Sequence, residues 1–526
     1  MRTENNTNDV LIVGAGPSGL MAAAQLLRWG IRPRIIEANA GPTLQTRALG
    51  VQARSMEIYR EMGLEKEVFA RGIPAKYATI FTEHGRLGQL SMEHIGAGLS
   101  AYPYMFILLQ DQNEVVLGED LNRHGLEVEW DTALKEIKHT NTGVSVTLET
   151  PSGLETTEYR YVIGADGPRS TVRQSLNIDF EGSTYDHKFF VADLKAEGEL
   201  VDGSLNLFLS NKYFVLALFP LPGAKRFRLI GLLPDDLAQK EHPTFEELHP
   251  KLLEMVGGRM QFNDVSWFST YKVHHRVAAQ FKQGHCFLVG DAAHIHSPIG
   301  GQGMNTGLQD AYNLAWKLAL VLKGQASENL LETYHDERRA NASSLINTTD
   351  RAFSILVSPN PFIAFTRDWL VPRVAPGLLK TKFLQRKFFL TISQTALNYR
   401  RQKLSVGQTR GSVQAGDRFP WFLENGRDVF EQMTGTRFTL FALGNWSAQH
   451  AALEGLRSEV LEVVCIANPG VEVYKQTGLT DGLYLVRPDG YIGLITKDVT
   501  EIHTYLSQSI GLKSAPNRPV LAPLRT

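Results

Sequence analysis

Residues 10–20 read VLIVGAGPSGL, a short apolar run that closes on Gly14, Gly16 and Gly19. A run of this length bounded by glycines reads as a buried parallel strand. Leu20, Ala23, Ala24 and Leu27 then recur at helical spacing after Pro17 and Ser18, and Gly30 is placed to end that helix. Residues 34–37 supply the next strand, so the segment is a βαβ unit of the dinucleotide-binding kind. Gly14 permits the tight turn, Gly16 lets backbone approach a pyrophosphate, and Gly19 lets helix pack on strand. The helix N-terminus adds N–H groups and a positive dipole end. Glu37, followed by Ala38, ends the second strand, where a carboxylate accepts from ribose hydroxyls. This motif alone does not separate FAD from NAD.

A chain of 526 residues is too long for one hydrophobic core, so several domains are expected. A formal net charge of −1 gives no reason to expect a nucleic-acid partner. Cys286 and Cys465 stand far apart, which argues against a disulfide framework, a zinc cluster or a CxxC redox pair. The polar start MRTENNTND is no signal peptide and no apolar run reaches spanning length, so a cytoplasmic protein with no membrane partner is expected.

Residues 126–130, 144–148 and 158–162 read as strands of a meander, with Ser152 and Gly153 in a turn. Residues 189–194, 205–209, 214–219 and 226–233 predict a separate antiparallel sheet over about 185–277, joined by residues 78–92. Residues 308–322 form a strong helix, and 330–400 are helical in pattern between prolines. From about 406 the texture becomes that of a small α/β domain.

Two further stretches carry chemistry. YVIGADGPRSTVR (161–173) places Asp166 and Arg169 after a strand; a plain DG turn is the alternative. FLVGDAAHIHSPIGGQGMNTG (287–307) is the most specific of the three. Asp291 follows a strand and is placed to accept from ribityl hydroxyls. The glycine-rich loop from Pro298 through Gly301, Gln302 and Gly303 ends at a helix N-terminus. N–H groups near Gly303, Met304 and Asn305 there suit a flavin pyrimidine edge, which becomes anionic on reduction. His294 and His296 lack a nearby third ligand and read as structural, so no metal is expected. Taken together, the stretches describe one FAD held at three points. They leave a nicotinamide without a Rossmann site of its own, which favours a single-component flavoprotein monooxygenase over a dehydrogenase.

The three stretches resemble the FAD-dependent aromatic hydroxylases of the group A flavoprotein monooxygenases, with the p-hydroxybenzoate hydroxylase fold, over about the first 345 residues. SPIGGQGMNTGLQDAYNLAWKLALVLKG (297–324), RALGVQARSMEIY (47–59), WFSTY (267–271) and the extra C-terminal region are most similar to phenol hydroxylase and the chlorophenol monooxygenases. The resemblance implies an α/β fold with α+β character over several domains. A Rossmann-like FAD-binding domain (1–77, 101–184, 278–345) would carry an inserted antiparallel-sheet substrate domain (78–100, 185–277). A helical connector (346–405) would lead to a thioredoxin-like domain without CxxC (406–526), serving packing or homodimerisation.

The same resemblance implies residue roles: Arg47 beside the flavin, Gln110 against FAD, Asp166 and Arg169 serving both FAD and NAD(P)H, and Pro298 bordering the oxidised ring. Tyr271 would reach flavin and substrate hydroxyl; a buried core tyrosine is the alternative. Leu49 stands where phenol hydroxylase has an aspartate, so the acid–base group is open. The implied reaction is hydroxylation of a phenolic or related small aromatic substrate, using NAD(P)H as co-substrate, O2 and a flavin C4a-hydroperoxide. Epoxidation, Baeyer–Villiger insertion, oxidative dehalogenation and non-catalytic flavin or ligand binding are the alternatives.

Overall fold

The computed structural model describes residues 9–43, 48–82, 85–201, 203–210, 214–297, 301–357, 381–407 and 411–513, with single positions at 360, 366 and 377. In the first sheet Val10–Val13 lies between Tyr161–Gly164 and Arg34–Ile36, parallel to both. Cys286–Leu288 continues the parallel order and Lys282–Gln283 closes the edge antiparallel. Every residue of Val10–Val13 is buried, as a strand covered on both faces must be. The Pro17–Arg28 and Gly303–Leu322 helices pack on one another beside it.

The meander differs from the sequence expectation in two places. Residues 158–162 divide at Arg160: the half-exposed strand Gly153–Tyr159 belongs to a three-stranded antiparallel sheet, and the buried strand Tyr161–Gly164 belongs to the parallel one. Residues 126–130 form no strand; Glu129 makes one bridge to Ile36, exchanging backbone bonds with Ile35 and Glu37 at 2.9 Å.

A second large sheet has eight strands, and its two long members, Phe180–Gly198 and Met260–Ala278, run 19 residues each and outreach the expected 185–277 window. Their ends reach back to the FAD-domain side, where Val277 pairs with His294. The sheet is not wholly antiparallel, because Ser204–Ser210 runs parallel to Tyr77–Thr82. No hairpin joins these two strands, so no tight turn dictates their direction. Residues alternate across the sheet. Leu216 and Leu218 pack toward Leu248 and Leu252 of the Phe245–Met255 helix, while Ala217 and Phe219 face a large cavity. That helix starts with a reciprocal capping box between Thr244 and Glu247.

The expected boundary at 345 falls inside one helix, Asn329–Val357, and is no break in the fold. The C-terminal region builds a five-stranded mixed sheet, with Gly482–Val486 antiparallel to both Phe438–Leu443 and Ile492–Thr496. Phe419 stacks on Phe441 at 4.3 Å in its core. Cys286 is buried and Cys465 is exposed. No helix among the described residues is long and apolar enough to cross a membrane.

Candidate active site

The three glycine-bearing stretches meet along one wall of a cavity of about 1310 Å³. Gly14 has φ +104°, and a Cβ there would lie 2.4 Å from the Ala165 carbonyl oxygen and 2.9 Å from Asp166 Cα. Glycine is therefore what lets the first motif nest on the second. A Cβ on Gly19 would come 2.0 Å from the Gly14 oxygen, so this residue serves helix packing and does not line the cavity. A Cβ on Gly16 would meet nothing within 4 Å, which leaves open space at a helix N-terminus. Pro17 and Ser18 line the same wall. Ser18 Oγ would lie 2.3 Å from a Cβ on either Gly290 or Gly307, so it knits the first motif to the third.

Glu37 and Ala38 line the cavity where the ribose site is expected. Glu37 also closes its own loop: Oε2 accepts the Ala15 N–H at 2.9 Å and Oε1 accepts the Asn39 N–H at 3.0 Å. Asp166 lines the wall as well, and its Oδ2 accepts the Val172 N–H at 3.1 Å. Burial raises the Asp166 pKa above the ordinary carboxyl value. Arg169 is exposed and lies off the cavity wall. The inward arginine of this motif is Arg173, which donates to the carbonyls of Ala292 and Pro168 at 2.8 Å each.

In the third motif Asp291, Gly301, Gln302, Gly303 and Met304 all line the cavity. The Gly303–Leu322 helix begins here, and the N–H groups of its first turn have no carbonyl one turn back to bond. The Asn305 side chain has a task of its own, apart from the backbone N–H groups expected to face the flavin. Its side chain accepts the Gln52 N–H at 2.8 Å and donates to the Gly50 and Gly301 carbonyls at 2.8 and 2.9 Å, clamping the glycine loop. Arg47 and Pro298 lie outside the described residues.

His294 is structural: its Nε2 bonds Asp310 at 2.7 Å inside the protein. His296 lines the cavity, and desolvation pulls its pKa down to about 4. No group of three metal-ligating side chains occurs among the described residues.

Two site residues escaped the sequence reading. Asp310 is fully buried and accepts from the Gly290 N–H at 3.0 Å, from His294 and from Arg338 Nε at 2.7 Å. Burial alone would raise its pKa; Arg338 and His294 hold it below the usual range. Its signal was position: it lies on the Gly303–Leu322 helix, one residue after Gln309, where a charge needs a partner from elsewhere. Glu114 lines the cavity one helical turn after Gln110, whose Nε2 donates to it at 2.9 Å. Burial pushes Glu114 up to about 7, and Asp111 and Glu37 add to the rise.

The far half of the cavity is mainly apolar, with Gln89, Ser269, Lys272 and His274 as polar members of the sheet's lining. Leu205, Leu207, Ala217, Phe219, Ile230 and Leu232 line it from the eight-stranded sheet. Tyr271 lies among them, its ring stacked on Phe189 at 5.9 Å. Leu49 is 6% exposed and packs with Ala75, Ile107 and Leu221, so an apolar surface stands where the resemblance placed an acid. The volume of about 1310 Å³ exceeds the roughly 300–1,000 Å³ usual for one small molecule and suits two occupants. The polar lining fits FAD in the first half: an open cradle at Gly16, two helix N-termini that present N–H donors, and carboxyl groups at Glu37, Asp166 and Asp291.

Comparison with known proteins agrees. The family model described as an FAD binding domain matches residues 7–349. The chain is 32% identical over 499 residues to pentachlorophenol 4-monooxygenase of Sphingobium chlorophenolicum, covering 93% of this chain and 87% of that protein. It is 30% identical over 518 residues to 6-methylpretetramide 4-monooxygenase of Streptomyces rimosus, covering 94% and 91%. Among solved structures, the anhydrotetracycline hydroxylase OxyS of Streptomyces rimosus superposes with a TM-score of 0.75 at 28% identity, covering 96% of this chain and 99% of that one. With that fold, cavity and kinship, the chain belongs to the family defined by this FAD binding domain and is an FAD-dependent aromatic monooxygenase.

Proposed function

We propose that the protein uses NAD(P)H and O2 to hydroxylate a phenolic or similarly electron-rich aromatic ring. The observation that carries this reading is that one cavity joins a polar, glycine-walled half to a mainly apolar half that holds Tyr271. FAD in the first half supplies hydride acceptance and oxygen activation; the chain supplies placement and dryness. Leu49, Leu207, Phe219 and Ile230 offer a ring no polar partner, so shape holds it and water is excluded from the reacting face. The first turn of the Gly303–Leu322 helix directs its dipole at the cavity, a field that stabilises negative charge there. Tyr271 is assigned the substrate oxygen, because Leu49 provides no acid for that task. A ring oxygen hydrogen-bonded by a phenol stays oriented and electron-rich. The relative named for pentachlorophenol supports a phenolic substrate. The C-terminal domain is assigned a packing role and not a redox one, since Cys465 is its sole cysteine.

The test is NADH and NADPH oxidation by the FAD-loaded protein with and without a panel of phenols. At least one phenol is expected to accelerate oxidation. Full FAD occupancy with no response to any phenol would instead identify a flavin binder.

A further inference from the structure

Glu114 is an ionisable group in the cavity wall that the reading above leaves without a task. It sits on the Gln110–Arg123 helix at 6% exposure and lines the cavity beside Gln110 and Glu37. Its Oε1 accepts the Gln110 Nε2–H at 2.9 Å, and the Thr43 backbone N–H also reaches it. Among the described residues the charged groups that act on it are acidic: Glu37 from the segment after the Arg34–Ile36 strand, and Asp111 from its own helix. Among the described residues no lysine, arginine or histidine pairs with it. Glu37, on the same wall, is differently placed, with N–H donors from Ala15 and Asn39 on its two oxygens.

We propose that Glu114 holds FAD as a protonated carboxyl, so that cofactor capture takes up one proton from solvent at this side chain. The proposal rests on FAD lying in this cavity. FAD brings the negative charge of its diphosphate into a wall that already carries Glu37 and Asp166. An ionised Glu114 would add a like charge with no cation among the described residues to offset it. The protonated form removes that repulsion and presents an O–H donor to a cofactor rich in acceptor oxygens. Burial and the two acidic neighbours already hold Glu114 near the point of neutrality, at about 7, so the proton comes cheaply below that pH. Ligand binding that favours one protonation state must shift that state's pKa, and the affinity then depends on pH.

The experiment removes FAD from the purified protein and titrates it back between about pH 6 and pH 9, reading flavin fluorescence. In the wild type, Kd is expected to be level below about pH 7 and then to rise toward tenfold per pH unit. Glu114→Gln keeps the shape and cannot ionise; its Kd is expected to vary less than about threefold over the same range. A level wild-type profile, or a Gln variant that keeps the wild-type slope, would overturn the proposal. A second measurement does not depend on the variant folding: calorimetric FAD titration of the wild type near pH 8 in two buffers of different ionisation enthalpy. Uptake approaching one proton supports the proposal and zero uptake overturns it. Absence of FAD binding at every pH would overturn the placement of the cofactor itself, a result distinct from both.

Discussion

Arg487 grips Glu337 with both guanidinium nitrogens, at 2.5 and 2.9 Å, across the junction between the C-terminal domain and the Asn329–Val357 helix. Both side chains are sealed from solvent, at 0% and 1% exposure. Lys317 Nζ adds a third bond to Glu337 at 2.8 Å, and Asn313 and Trp316 bond Asp489 beside it. The Gly303–Leu322 helix that lines the flavin half of the cavity is thereby tied to the C-terminal domain.

A pH dependence of stability follows. Burial alone would raise the Glu337 pKa, but Arg487 and Lys317 outweigh it and hold the carboxyl at about 2. A carboxyl depressed in the folded state contributes stability that is present above its unfolded pKa and lost as pH falls through the folded one. Urea unfolding of the wild type is expected to show that loss between about pH 4.5 and pH 2. Glu337→Gln should flatten this limb and destabilise the protein at neutral pH by about 3–5 kcal/mol, because buried Lys317 loses its paired carboxylate and buried Arg487 keeps only Asp489. The double variant Glu337→Met with Arg487→Met should cost far less than the two single changes summed. Additive costs would mean that the pair is not coupled.

Gly14 and Gly16 separate folding from cofactor binding. Gly14→Ala places a methyl 2.4 Å from backbone oxygen at positive φ and should cost stability with or without FAD. Gly16→Ala meets no atom within 4 Å and should fold as well as wild type yet bind FAD at least about tenfold more weakly. Thermal melts of the apo forms and FAD titrations distinguish the two; equal melting losses would contradict the assignment.

Asp291 lines the cavity without being buried. Asp291→Ala should remove a charge-assisted contact of about 1.5–3 kcal/mol, a roughly tenfold to hundredfold weaker FAD affinity. Equilibrium dialysis checks this, and unchanged affinity would place FAD away from Asp291.

The first nucleotide-binding unit was legible because strand burial, helical spacing and glycine punctuation all operate within 30 residues. The Glu158-to-Val162 strand was misread because local alternation does not reveal that the chain changes sheets at Arg160. The parallel pairing of Ser204–Ser210 with Tyr77–Thr82 joins strands more than a hundred residues apart and leaves no local mark. Asp310 and Glu114 were missed for a related reason. On a helix an acid is ordinarily solvent-facing, and only partners from other elements, Arg338 and Gly290 for one and Glu37 for the other, show that these two are enclosed. Asn305 was placed correctly at the helix start, but its clamp on Gly50 is tertiary.

Tyr271 should govern coupling and leave FAD binding unchanged. Tyr271→Phe keeps the ring that stacks on Phe189 and deletes the hydroxyl. Flavin reduction should stay within a few-fold of wild type, while product per NAD(P)H falls and H2O2 makes up the difference. General acid–base assistance contributes roughly 10²–10⁴-fold, enough for unproductive decay to compete once it is lost. Product and H2O2 counted against NAD(P)H consumed decide it, and unchanged coupling would return Tyr271 to a core role.

The central claim is that an oxygen atom passes from O2 to an aromatic ring inside this cavity. The direct measurement is the mass of the product formed by the FAD-loaded protein with NAD(P)H, a stimulating phenol and ¹⁸O₂. The account predicts a hydroxylated product that carries one ¹⁸O. A product whose new oxygen comes from water, or NAD(P)H consumption that yields H2O2 alone for every phenol that stimulates it, would contradict it.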